Sequence, residues 1–273
     1  MDFDFKRIAV PFRMLPGLSR LTPGARQLTA LNPASALYQE KLSVSRAGAA
    51  WHCVPGFDPA NVLLAIWDNA RTTGISLLPG PHAALELAFE EDFALLDAVT
   101  GTVPWMCVCV PSHWAPEEKV GKSLAAIHAP VADGEPLRAA LPHLMRLVGG
   151  GDHWERFVWT ISASSRYDQH PRRHERGPWP RTADHAEFAA NCYFRAERQT
   201  FLPIPDPHGQ ATAQAVFTIR VMVEPLTRVV RGPEQAQQLH DALQSMTGKV
   251  LLYKNLEAAR KPLLAWLSSL ISG

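Results

Sequence analysis

A chain of 273 residues is long enough to bury a substantial core, and 47% hydrophobic with 19% charged residues excludes a disordered polypeptide. A formal net charge of +1 leaves no whole-molecule field for nucleic acid, and the longest apolar runs, such as 62–67, are far too short to span a bilayer. The opening run MDFDFKRIAV lacks the charged-then-apolar layout of a secretory signal, so a cytoplasmic protein is the expectation.

Taken in chain order, residues 1–50 are rich in proline and predict an extended arm that leads into a helix over 36–42, with 1–55 forming an N-terminal extension. In DPANVLLAIWDNA (58–70), Asp58 suits an N-cap and Pro59 the first helical position. Apolar residues at helical spacing predict a second helix over 82–98. Residues 103–110 read as a buried strand ended by Pro111, with Cys107 and Cys109 two apart and hence on one sheet face. A zinc site would need a second such pair, so buried free thiols are expected there, as for the scattered Cys53 and Cys192.

The run PSHWAPEEKVGKSLAAIHAP (111–130) predicts a helix that starts near Pro116 and carries Glu117 and Glu118 at its positive end. Val120, Leu124, Ile127 and His128 would share one stripe. Gly121 weakens such a helix, as expected where something approaches the backbone closely, and Pro130 stops it. A helix over 137–148, a strand over 157–163 and a basic surface loop over 166–186 follow. Strands over 192–198 and 216–223, then helices over 233–245 and 256–270, complete the chain. Strands and helices do not alternate strictly, so the fold class is α+β with one main domain.

Three sets of residues invite a chemical reading. His128 stands among Ala125, Ala126 and Ala129 on an apolar face, where a neutral imidazole could ligate a flat cofactor; a core histidine bonded to a backbone carbonyl is the commoner case. In RAERQT, strand alternation sends Arg195, Glu197 and Gln199 to one side and Ala196, Arg198 and Thr200 to the other. The first set is either a polar cluster that binds an amine through Glu197 or a solvated strand with cross-strand ion pairs. Arg220 interrupts the apolar run VFTIRVMV, so it either pairs with Glu197 or lines a pocket with it. The loop residues Arg172, Arg173, Arg176 and Arg181, with His170, His174 and His185, could contact cofactor carboxylates or an acidic partner, or simply be solvated. No nucleophile elbow, phosphate-binding glycine loop or dinucleotide fingerprint is present.

The run PSHWAPEEKVGKSLAAIHAPV resembles the P-S-x-W-x-P-x-x-K-x-G-x-x-L-x-x-I-H-x-P-V signature of the haem-dependent oxidative N-demethylase α-subunit family, the dimethylamine monooxygenase-like proteins. RAERQT, VFTIR and LLYKN resemble that family's later blocks, in the same order along the chain. The resemblance implies a PAS-like α+β domain, an antiparallel sheet with flanking helices, that spans 1–273 and holds haem b. It implies O₂ activation at the iron, oxidative removal of a methyl group from an amine, and electrons from a separate reductase carrying FMN and a 2Fe–2S cluster. It also implies that His128 is the axial iron ligand, that Glu197 and Arg220 face substrate and oxygen, and that Arg198 contacts the cofactor. The chain departs from the family pattern at Phe201 to Pro205, at Val158 to Thr160 and at Ala132, which alters the surroundings of the site. A non-catalytic haem-PAS sensor, or a biosynthetic haem enzyme that oxidises a larger amine, is the alternative.

Overall fold

A computed structural model describes residues 3–76, 84–206 and 208–272. In chain order the elements are β1 (Ser19–Arg20), α1 (Ala36–Arg46), β2 (Trp51–Cys53), α2 (Ala60–Thr72), α3 (Leu85–Ala88), β3 (Glu91–Asp97) and β4 (Thr102–Cys107). Then come α4 (Leu124–His128), α5 (Glu135–Val148), β5 (Trp154–Ser162), α6 (His185–Ala190), β6 (Tyr193–Pro205) and β7 (Ala211–Pro225). The chain ends with α7 (Leu226–Val229), α8 (Pro233–Ser245), α9 (Gly248–Tyr253) and α10 (Glu257–Ser272). The seven strands form one antiparallel sheet in the order β1-β5-β6-β7-β3-β4-β2. This is an α+β arrangement, as the irregular succession of strands and helices predicts. No helix among the described residues is long and apolar enough to cross a membrane.

Both faces of the sheet are covered, because alternate residues of the central strands are apolar on each side. On one face Trp159, Phe194, Ala196 and Met222 pack against α6, α8 and α10, while Phe93, Leu95 and Trp105 pack against α2. On the other, Ile219 and Val221 meet α1, and Ala94, Leu96 and Phe201 meet α5 and, through Leu124 and Ile127, α4. The second face is less completely closed: Arg156, Val158 and Thr160 of β5 and Glu197 of β6 are only half-buried. The two short edge strands β1 and β2 both come from the N-terminal region, which therefore caps the sheet at either end.

Three expectations change. The helix expected over 82–98 is confined to α3, and the rest is strand β3; residues 82 and 83 lie outside the described residues. A strand buried on both sides has an unbroken apolar run (Phe93 to Leu96), which fits helical spacing as well as it fits a strand. The buried ion pair between Lys41 Nζ and Asp92 (3.0 Å) lets the acidic start of that strand enter the core. The single helix expected from Pro116 to Pro130 is a 3₁₀ turn at Pro116–Glu118 followed by the short α4. Between them Gly121 takes φ +77°, and its N–H donates to the carbonyl of Val103 (2.7 Å). Finally, Cys107 packs with Phe93 and Trp105 but Cys109 with Ile219 and Val221, because β4 ends at Cys107 and regular alternation ends with it. All four cysteines are free, and burial raises the thiol pKa of Cys107, Cys109 and Cys192.

Candidate haem and amine site

Residues directly opposite in adjacent antiparallel strands share a face, and the register here pairs Val158 with Glu197 and Glu197 with Val221. Arg195, Glu197 and Gln199 therefore stand on the half-open face together with Arg156 and Thr160 of β5. Ser112, from the loop after β4, donates its hydroxyl to one oxygen of Glu197, and Gln199 Nε2 donates to the other at 2.7 Å. Arg195 Nε donates to the same Ser112 hydroxyl oxygen at 2.8 Å, and its remaining nitrogens reach the carbonyls of Val110 and Arg166, both at 3.2 Å. Arg195 is only 1% exposed, and burial lowers its pKa against the pull of Glu197. Glu197 is thus oriented by two neutral donors and keeps lone pairs free for a cation. Lys254 donates to the carbonyl of Trp159 (2.8 Å), and burial lowers its pKa to about 8 even though Glu197 raises it. Beside the cluster is a cavity of about 50 Å³, lined by His113, Thr160, Arg176 and Lys254 among others. Burial, with Arg176 and Arg195 nearby, drops the His113 pKa to about 4.

His128 ends α4, whose N-cap is the Ser123 side chain accepting from Ala126 N–H. Its Nδ1 lies 2.8 Å from the carbonyl of Leu124, one helical turn back. A carbonyl only accepts, so Nδ1 carries the proton and Nε2 the lone pair. Burial lowers the pKa of His128, and Arg156 and Lys119 lower it further against the Leu124 carbonyl, which favours the neutral ring that a metal requires. The bond to a backbone carbonyl is what a merely structural histidine would make. It is also the contact that fixes the tautomer of a ligating one. Leu124 and Ile127 anchor α4 over the same sheet face that carries Glu197.

The structure separates the other expected site residues from this face. Arg220 lies opposite Arg198 on β6 and opposite Glu91 on β3, one position out of step with Val221, so alternation sends Arg220 and Glu197 to opposite faces. Arg220 Nε donates to Glu90 Oε2 at 2.6 Å rather than to Glu197. Arg198 pairs with Glu155 (3.1 Å) and donates to the carbonyl of Arg26 (2.8 Å). The basic loop is tied down more than a solvated loop would be. Buried Asp168 accepts from Arg173 Nε (2.7 Å) and meets His174 Nε2 at 3.1 Å, while His170 and Arg172 meet Glu117. Among the described residues no group of three His, Cys, Asp or Glu side chains is placed to hold a metal ion, so His170 and His174 do not form one.

Arg156, Ser112 and Lys254 escaped sequence reasoning. Arg156 lies just before the strand expected from Phe157, yet it is in phase with Val158 and Thr160, and that period of two is the signal that could have found it. Its Nε is buried with no hydrogen-bond partner among the described residues, and so is Trp154 Nε1, two residues earlier on the same face.

No curated protein matches this chain. The sequence model of one family, described as haem-dependent oxidative N-demethylase, alpha subunit-like, matches residues 66–264, a span that includes α4, β5, β6 and Lys254. That span is well over half of the chain, and the protein belongs to the haem-dependent oxidative N-demethylase alpha subunit-like family.

Proposed function

We propose that the chain binds haem b over the half-open sheet face, with His128 Nε2 as the axial iron ligand, and oxidises an amine held by Glu197. The observation that carries this reading is the lock of His128 Nδ1 on the Leu124 carbonyl, which presents a neutral Nε2 lone pair on the side of the sheet where Glu197 stands. The unpaired donors of Arg156 and Trp154 on that face fit a cofactor whose body is apolar and whose rim is anionic. The five central strands, numbered among themselves in chain order, lie 2-1-5-4-3, which supports a PAS-like sheet. In this reading the whole chain acts as one haem-binding unit in the cytoplasm.

Haem, when bound and reduced, supplies the O₂ chemistry that removes a methyl group from the amine. The protein's own part is positional and electrostatic. Glu197 holds the ammonium by charge and can take its proton on a carboxylate oxygen, giving the uncharged amine. Ser112 and Gln199 keep that carboxylate aimed, and Arg195 keeps Ser112 in place. The alpha-subunit character of the family points to a partner that delivers electrons, and a flavin- and iron–sulfur-containing reductase fits that role.

The test is an absorption spectrum of the full chain titrated with haemin. The wild-type protein should develop a saturating Soret band, and His128→Ala should lose it or shift it while keeping its far-UV circular dichroism. An unchanged band in His128→Ala removes the axial assignment. With haem loaded and a reductant in air, formaldehyde released from a methylated secondary amine supports the enzyme, whereas a stable oxygenated spectrum without product supports a sensor.

A further inference from the structure

Arg156 poses a physical problem that the rest of the fold does not solve. Its side chain is half-buried, its Nε is sealed from solvent without a hydrogen-bond partner, and no carboxylate among the described residues lies within ion-pair distance. A guanidinium cannot shed its charge, so sealing its Nε without an acceptor costs free energy that an acceptor, and most strongly an anion, offsets. Every other arginine discussed above that is tied into the sheet or the loop has such an acceptor: Arg195 has Ser112 and two carbonyls, Arg198 has Glu155, Arg220 has Glu90 and Arg173 has Asp168. Trp154, two positions earlier, leaves its indole N–H equally buried and unpaired. Alternation puts the two residues on one face, their Cα atoms roughly 7 Å apart along the strand. Two unsatisfied donors on one face suit a carboxylate-bearing ligand.

We propose that Arg156, seconded by Trp154, clamps a propionate of the haem. The assignment rests on the haem reading above. A substrate carboxylate would satisfy the same donors, but the electrostatic surroundings favour the cofactor. Burial lowers the pKa of Arg156 against the pull of Glu197, and Arg156 shares with Glu197 the sheet face over which α4 carries His128. A haem held by His128 beside Glu197 would bring its edge towards a side chain placed between the two. The rim of haem is where its carboxylates are.

The experiment titrates full-length apoprotein with haemin and, separately, with haemin dimethyl ester, whose propionates are masked, and reads Soret absorbance. Arg156→Gln should weaken haemin binding roughly 10- to 100-fold, the loss expected for a charge-assisted hydrogen bond. It should leave affinity for the dimethyl ester as in wild type, and Arg156→Lys should recover part of the loss. Circular dichroism and a thermal melt establish that each variant is folded, and Trp154→Phe gives a second, smaller loss confined to haemin. Equal haemin affinity in wild type and Arg156→Gln overturns the proposal, including the case where the variant instead weakens binding of a carboxylate-bearing amine. An equal loss for both porphyrins also overturns it, since that marks a structural role. Failure of the wild-type protein to bind either porphyrin sinks the haem reading itself, an outcome distinct from the other two.

Discussion

At the scale of single residues, the site depends on a hydroxyl. Ser112 is the joint between Glu197, which it bonds directly, and Arg195, from which it accepts. Removing the hydroxyl leaves the Nε of a fully buried guanidinium unpaired, at a cost of about 1–3 kcal/mol. Ser112→Ala should therefore lower stability by that amount in urea unfolding. It should also weaken amine binding, followed as a ligand-induced spectral change, while haemin affinity stays at the wild-type value. Unaltered amine affinity in a measurably destabilised Ser112→Ala would show that Glu197 does not rely on this joint. The same hydroxyl explains why the proline-serine pair opens the run that ends at His128. One end of the run carries the proposed ligand, and the other holds the acid.

At the scale of elements, α4 owes its position to the turn before it. Gly121 adopts a left-handed conformation, its N–H is bonded to Val103 O, and a Cβ there would meet Val54 Cγ1 at 3.1 Å. Gly121→Ala combines a backbone penalty of about 1–2 kcal/mol with that tight contact. The expected outcome is a Tm lower by roughly 3–6 °C. A Tm within a degree of wild type would mean that the turn relaxes freely. Helical spacing correctly put Leu124 and Ile127 on one side, and both pack on the same core cluster, whereas Val120 of the expected stripe falls before the helix. It could not reveal the break, because a glycine inside an apolar-periodic run is compatible with a weakened helix and with a turn alike. The error at β3 has a related cause: only the neighbours on both faces distinguish a doubly buried strand from a helix.

At the scale of the whole molecule, the sheet carries a buried acid that couples stability to pH. Glu91 is 1% exposed, and burial raises its pKa to about 7 although Thr29 N–H and Arg220 pull it down. The folded protein then holds a proton that the unfolded chain releases nearer pH 4.5. Stability from this group is full below that value and falls as pH rises towards 7, by on the order of 3 kcal/mol. Glu91→Gln can still accept from Thr29 and should flatten this slope, so that urea unfolding at pH 5 and pH 8 differs less than in wild type. Parallel pH dependences for the two proteins would exclude Glu91 as the coupled group.

The sequence by itself determined the α+β class, the three long helices after Pro130, the split of Arg195, Glu197 and Gln199 from Arg198, and the family, because each rests on local periodicity or on a linear motif. Tertiary structure alone decided which arginine of the neighbouring strands shares a face with Glu197. That depends on the register between β5, β6 and β7, where a shift of one residue reverses every side chain, and no single strand's sequence encodes its neighbour's register. Register brings Arg156 to the acid and takes Arg220 to Glu90 on the other side, and so moves the candidate anion clamp to a residue that no motif marks.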